Sequence, residues 1–293
     1  MIGPNLRKLK EGAHVGLYLG SLLNFALALG EQGKFQEAID TMREGRTFGL
    51  EAGEKNQTPK VINSLGWVFH ELCLYDQAIS YNNEALDYVK EIAEPDNTSI
   101  HEIDSFTRIN LGENYLMNGE VSKAFETFET VYENAKKPEY YWARARWKVR
   151  LLVALGELWL GRGDINKAQS YLDEMHDYHW TDRFPYKKYQ VRAGRLQGTI
   201  FSAIGKDKEA ETEFKCALTL AEELGNPTQF WRTQQALGNL LRKQGKSKEA
   251  RAKFQTALKV VQGIAEDLTD VALKEGFLQS ESIQELFLQV EGS

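Results

Sequence analysis

Few side chains in this sequence have both the type and the spacing to do chemistry. His176 and His179 stand three residues apart with Asp173, Glu174 and Asp177 beside them, the one suggestive metal cluster. Residues at that spacing share a helix face. The run ends at Trp180-Thr181-Asp182-Arg183-Phe184-Pro185, which reads as a loop, and a cationic side chain at a helix end is favourable without any metal. Cys73 and Cys216 have no histidine placed beside them, so both read as structural thiols rather than nucleophiles. There is no glycine-rich phosphate loop, no Gly-x-Ser-x-Gly and no His-Glu-x-x-His. The expectation is a protein that is not an enzyme and holds no metal or cofactor. Arginine is the type whose placement suggests recognition. Arg146, Arg150, Arg192, Arg195 and Arg232, with Lys188, fall among Tyr140, Tyr141, Trp142, Trp147, Tyr186, Tyr189 and Trp231, and Arg242 follows with Lys243. A guanidinium reads carboxylate or phosphate through two parallel hydrogen bonds, and aromatic rings supply anchoring area.

The bulk composition bounds what those residues can serve. A chain of 293 residues, 42% hydrophobic and 27% charged, suits one or two compact domains or one elongated array. It has no run of eighteen apolar residues to span a membrane. Met1 to Lys10 lacks the apolar core of a secretory signal. Two cysteines cannot make a disulfide framework, so a reducing compartment and a cytoplasmic location are expected. The net charge of −6 argues against general nucleic-acid binding. That average hides an asymmetry: residues 1–135 carry 11 Lys and Arg against 21 Asp and Glu, and residues 136–293 carry 25 against 21.

The elements that must position these side chains come from an internal repeat. Six segments place a small residue twelve positions before an alanine: Ala26 and Ala38, Gly66 and Ala78, Gly112 and Ala124, Gly156 and Ala168, Gly198 and Ala210, Gly238 and Ala250. Three residues after the first small residue comes a large one (Leu29, Phe69, Tyr115, Trp159, Phe201, Leu241), and seven after it Gly33, Cys73, Gly119, Gly163, Gly205 and Gly245. This reads as helix, turn, helix, with the glycine closing the first helix in the left-handed region. The alanine is expected to face the first small residue so that the backbones approach closely, with Phe128, Phe214 and Phe254 filling the flanks. Pro59, Pro95, Pro138, Pro185 and Pro227 fall one into each junction between repeats, where a new pair begins.

The stretches Leu65-Gly66-Trp67-Val68-Phe69, Leu111-Gly112-Glu113-Asn114-Tyr115, Leu155-Gly156-Glu157-Leu158-Trp159 and Leu237-Gly238-Asn239-Leu240-Leu241 resemble the tetratricopeptide repeat family over residues 19–262. Successive small residues are 40, 46, 44, 42 and 40 apart. This long form is similar to the superhelical arms of bacterial signalling ATPases and cyclases and of kinesin-light-chain-like and LGN-like adaptors. The family's early tryptophan and its closing proline are missing.

The resemblance implies an all-α, right-handed superhelical solenoid of about six repeats. Residues 1–18 read as an N-terminal half-repeat helix and 263–293 as C-terminal capping helices, with Ser280, Ile283, Leu286 and Phe287 marking a fresh capped helix. It also implies a concave groove lined by the first helix of each pair. Six residues before the small residue stand Lys60, Phe106, Arg150, Arg192 and Arg232. With Arg146, Lys188, Arg195 and Arg242, and with Trp67 and His70 in the second repeat, these are the groove residues expected to hold a partner. Removing the arginines is expected to leave the fold intact. Long helices also carry arginines as solvated faces or as ion pairs between repeats, a reading that stays open here. The function expected is a protein- or peptide-binding scaffold or sensor, the C-terminal arm of a larger bacterial signalling or NTPase protein, with an acidic peptide or protein in the groove. The alternative is a nucleic-acid-binding solenoid on the basic aromatic stretch, against which the acidic first half counts. Small-ligand sensing and self-association through an exposed edge of the first repeat are the remaining readings.

Overall fold

The computed structural model describes residues 14–92, 98–178 and 187–292, apart from the side chains of Thr98 and Trp142. The described residues form α-helices, one short 3-10 turn and no strand. The chain divides into two compact units, residues 1–144 and 145–293. The first holds α1 (Val15–Glu31), α2 (Phe35–Glu51), α3 (Thr58–Glu71), α4 (Tyr75–Glu91), α5 (Thr98–Met117), α6 (Val121–Asn134) and the 3-10 turn Pro138–Tyr140. The helices of the second are α7 (Tyr141–Gly161, from Ala145 on), α8 (Ile165–His176), α9 (Lys187–Ala203), α10 (Asp207–Leu224), α11 (Pro227–Lys243), α12 (Ser247–Asp267), α13 (Val271–Gln279) and α14 (Glu281–Glu291). Among the described residues the helices run as seven successive helix–turn–helix pairs, six on the repeat read from the sequence and a short seventh, α13 and α14. Within the first unit each pair packs on the next, α2 on α3 and α4 on α5, and within the second α10 packs on α11.

The seven-residue step from small residue to turn glycine has a hydrogen-bond reason. The carbonyls of Leu29, Phe69, Tyr115, Trp159, Phe201 and Leu241 each accept from the backbone N–H five residues on, at 2.8 to 3.0 Å. This bond closes a helix only when the residue just inside it turns left-handed. Gly33, Gly119, Gly163, Gly205 and Gly245 do so at φ 74 to 81°. Cys73, in the same slot, is the one non-glycine with positive φ among the described residues, at 56°.

The helix crossings differ from the sequence expectation in one respect. The alanines are buried, but at three of the glycines what lies over the bare backbone is the ring four residues beyond the alanine, while at Gly156 a Cβ would meet the Leu196 side chain at 2.6 Å and the Ala168 carbonyl at 3.4 Å. A Cβ on Gly112 would lie 2.4 Å from the Phe128 ring, on Gly198 2.8 Å from Phe214 and on Gly238 2.5 Å from Phe254. Glycine is there to admit a phenyl face. In the second pair the corresponding contact is to Asn82, 2.2 Å from a Cβ on Gly66.

Helix starts follow the sequence where a cap is present. Pro59 and Pro227 lie in the first turns of α3 and α11, and Pro138 opens the 3-10 turn; Pro95 and Pro185 lie outside the described residues. Asp164, Asn226 and Asp270 accept backbone N–H bonds at the starts of α8, α11 and α13. Ser280 holds the position before α14, but its hydroxyl donates to the Phe277 carbonyl at 2.7 Å instead of capping. Helix α12 continues to Asp267. Residues 1–13, and with them most of the expected half-repeat, lie outside the described residues.

Candidate partner-binding site

In the second unit the first helices of successive pairs are tied together by arginine. Arg192 of α9 makes an ion pair with Glu157 of α7, Nη2 to carboxylate oxygen 2.6 Å, with its side chain largely shielded from water. Arg195, one turn on, donates through Nη1 to Gln229 Oε1 at 3.2 Å and Thr233 Oγ1 at 3.1 Å on α11. Arg232, next to Thr233, is half-buried with its guanidinium 5.1 Å from the Trp231 ring centre. Arg150 is 7% exposed on α7, while Arg146, one turn earlier, is exposed. Lys188 at the start of α9 is half-buried. Arg242 lies exposed at the end of α11, donating to Asn239 at 3.1 Å, with its guanidinium 5.5 Å from the Phe254 ring centre. The arginines thus lie on α7, α9 and α11, and two of them, Arg192 and Arg195, bind one first helix to the next.

Two expectations change with burial. Removal of the arginines was expected to spare the fold. Arg150 is buried and Arg192 is ion-paired, so a charge reversal at either puts a carboxylate into the packing or against Glu157. Trp147 and Trp231 are fully buried and Tyr140 nearly so, which makes them core rather than anchoring area. Tyr141 is exposed and Tyr189 half-buried, while Tyr186 and the Trp142 side chain lie outside the described residues.

Trp67 and His70 belong to the first unit and to a different structure. Trp67 is buried, its indole N–H donating to Glu71 at 2.9 Å, and it occupies the space where a Cβ on Gly30 would stand. His70 begins a chain of amide hydrogen bonds that the sequence reading missed. Its Nδ1 is 2.7 Å from Asn114 Oδ1; Asn114 Nδ2 donates to Asn82 Oδ1 at 2.8 Å; Asn82 Nδ2 donates to Asn63 Oδ1 at 2.9 Å. Asn110 Nδ2 donates to the same Asn63 oxygen at 2.8 Å. With each amide oxygen so committed, His70 carries its proton on Nδ1. Asn82 and Asn114 are fully buried, and a satisfied buried network of this kind holds α3, α4 and α5 in one register. The signal was readable by alignment of the repeats: Asn82 takes the slot of Phe128, Phe214 and Phe254, and Asn114 that of Leu158, Ile200 and Leu240.

Among the described residues no group of three or more histidine, cysteine, aspartate or glutamate side chains is placed to hold a metal ion; His179 lies outside them. No helix among them is long and apolar enough to cross a membrane.

No family model matches the sequence, and no curated protein matches it significantly. Solved structures do. This is a tetratricopeptide-like repeat fold. The Rap conjugation gene regulator of plasmid pLS20, in complex with the Phr* peptide, is similar over 99% of this chain and 79% of its own, with a TM-score of 0.63 and 14% identity. Aspartyl phosphate phosphatase F from Bacillus subtilis is similar over 97% and 72%, with a TM-score of 0.59 and 14% identity. A Rap protein complexed with Competence and Sporulation Factor covers 93% and 77%, with a TM-score of 0.55 and 12% identity. The likeness to these structures is one of fold.

Proposed function

We propose that this protein is a non-catalytic protein- or peptide-binding module, working in the cytoplasm, and that its second unit takes an acidic segment along the face formed by α7, α9 and α11. The observation that carries the reading is the set of Arg146, Lys188, Arg195 and Arg232 on the first helices α7, α9 and α11, beside the buried Arg150 and the ion-paired Arg192. Guanidinium groups fixed by Gln229, Thr233 and Trp231 are preorganised, so less side-chain entropy is lost when a carboxylate arrives. The similar fold solved with the Phr* peptide supports a peptide as the partner. Two unbridged cysteines fit a reducing compartment.

The test is fluorescence anisotropy with a labelled Asp/Glu-rich peptide, a Lys-rich one and a neutral one. The variant Arg146→Gln/Arg195→Gln/Arg232→Gln leaves the buried Arg150 and the paired Arg192 in place. The acidic peptide should bind the wild type best, and the variant should lose at least about tenfold in affinity, the worth of one or two charge-assisted hydrogen bonds. Equal binding of all three peptides, or an unchanged variant with native circular dichroism, would sink the proposal. Tighter binding of a single-stranded oligonucleotide with a steep salt slope would favour nucleic acid instead.

A further inference from the structure

The second unit also contains a cleft that the arginine set does not use. It measures about 460 Å³ and is lined by Val149 of α7, the end of α8, one stripe of α9 and one stripe of α10. The α10 stripe is Glu213, Cys216, Ala217 and Leu220, spaced three and four apart and so on one face. Phe201 of α9 and Met175 of α8 complete its apolar walls. The floor is tight where α9 and α10 meet, since a Cβ on Gly194 would lie 3.3 Å from the Ala217 methyl. The opening has a simple origin in helix length. Helix α8 has 12 residues and stops at His176, whereas α10 has 18, so Leu220 extends past the level at which α8 ends.

The polar groups in the cleft are few: Gln197 is paired in both directions with Gln169, at 3.0 and 3.1 Å, and the others are uncommitted. Among the described residues Glu213 makes no hydrogen bond or ion pair, and the nearby Lys215 is held by Glu211 at 2.6 Å. Gln190 and His176 likewise face the cleft without a partner among the described residues. A volume of this size lies within the usual range for small-ligand sites, which are apolar with a small number of oriented polar groups. One unneutralised carboxylate on an apolar wall selects a cation, because a charge-assisted bond gains strength where water is partly excluded. The carbonyl end of α8 at the cleft adds to the same sign of field.

We propose that this cleft is a binding site for a small amphipathic amine, its ammonium on Glu213 and its apolar body between Phe201, Met175 and Leu220. The site is independent of the arginine set, which prefers the opposite charge.

Cys216 supplies a built-in reporter. It is exposed in the cleft, whereas Cys73 is buried, so iodoacetamide should modify Cys216 selectively. The probes are naphthylmethylamine and the uncharged naphthalenemethanol, with alkylation followed by intact mass. Saturating amine should slow modification of Cys216 about tenfold or more, and the alcohol should need an at least about tenfold higher concentration for half-protection, the worth of one charge-assisted bond. Glu213→Gln, a change at a half-exposed residue without a partner, should bring the amine to the alcohol's value and leave the alcohol unchanged. No protection by either probe, equal protection by both in the wild type, or an amine advantage that survives Glu213→Gln would each overturn the proposal.

Discussion

Replacing Asn82 by phenylalanine should weaken the first unit, although it restores the residue type that Phe128, Phe214 and Phe254 hold in three other pairs and although Gly66 leaves the same bare backbone beneath it. Asn82 donates to the Asn63 side chain at 2.9 Å and to the Asn63 carbonyl at 3.1 Å, and it accepts from Asn114 at 2.8 Å. Asn63 Oδ1 would keep the bond from Asn110, but Asn114 Nδ2 would lose its acceptor inside the core. An orphaned buried amide costs about 1–3 kcal/mol and the lost hydrogen bonds about 1 kcal/mol each. A ring forced into a filled site costs about 1–3 kcal/mol more, against about 1.5–3 kcal/mol gained from its apolar area. The net expectation is a loss of about 3–6 kcal/mol, read as a lower urea midpoint by circular dichroism. Adding Asn114→Leu, the residue type of Leu158 and Leu240, removes the orphan and leaves only the half-exposed His70 to be met by water. The double variant should recover at least about 1 kcal/mol relative to Asn82→Phe. A neutral Asn82→Phe, or a double variant no better than the single, would refute the view that the amide chain holds these helices.

The same glycine-to-alanine change should destabilise for two unrelated reasons. Gly163→Ala adds a methyl that meets nothing within 4 Å but sits at φ 81°, a backbone cost of about 1–2 kcal/mol, and Gly238→Ala drives a methyl to 2.5 Å from the Phe254 ring, an overpacking cost of about 1–3 kcal/mol. Urea unfolding should show both, and trimming Phe254 to leucine should relieve only the second. Arg150→Glu should unfold the second unit or lower its midpoint markedly, while Arg146→Glu, at an exposed position one turn away, should lower it clearly less. Tyr18 donates to Glu44 at 2.8 Å, and burial, then that bond and the Glu44 charge, hold its phenol above the ordinary 10.0. The unfolded chain therefore loses this proton first, so the stability from Tyr18 is full below pH 10.0 and falls as pH climbs above it. Tyr18→Phe should flatten the alkaline limb of a urea-midpoint profile; an unchanged slope would contradict it.

The repeat was legible because its markers answer to local geometry. A left-handed turn residue, a large side chain four positions earlier and an alanine five positions later are each demanded by one helix end and one crossing. They therefore recur in every pair whatever the partner. Cys73 shows how strong that demand is, since a non-glycine follows the backbone of its slot. The arginine set was legible as composition and spacing, but not as structure. Nothing local told that Arg150 would be buried or that Glu157, one residue after Gly156, would hold Arg192 from the next first helix. The amide chain through Asn63, Asn82, Asn114 and His70 is silent within any one helix, where each asparagine is unremarkable, and shows only as polar residues in slots that are apolar in the other repeats. Its meaning lies in which three helices meet.

By itself the sequence determined the all-helical class, the succession of helix pairs and the turn chemistry, since these depend on contacts within about forty residues of chain. Tertiary structure alone decided which polar groups are committed and which are left over. Arg192 is spent on Glu157, Asn82 on its neighbours, and Glu213 on nothing among the described residues. The physical reason is that a side chain's partner is set by the face of the adjoining helix, and short helices such as α8 leave part of such a face open.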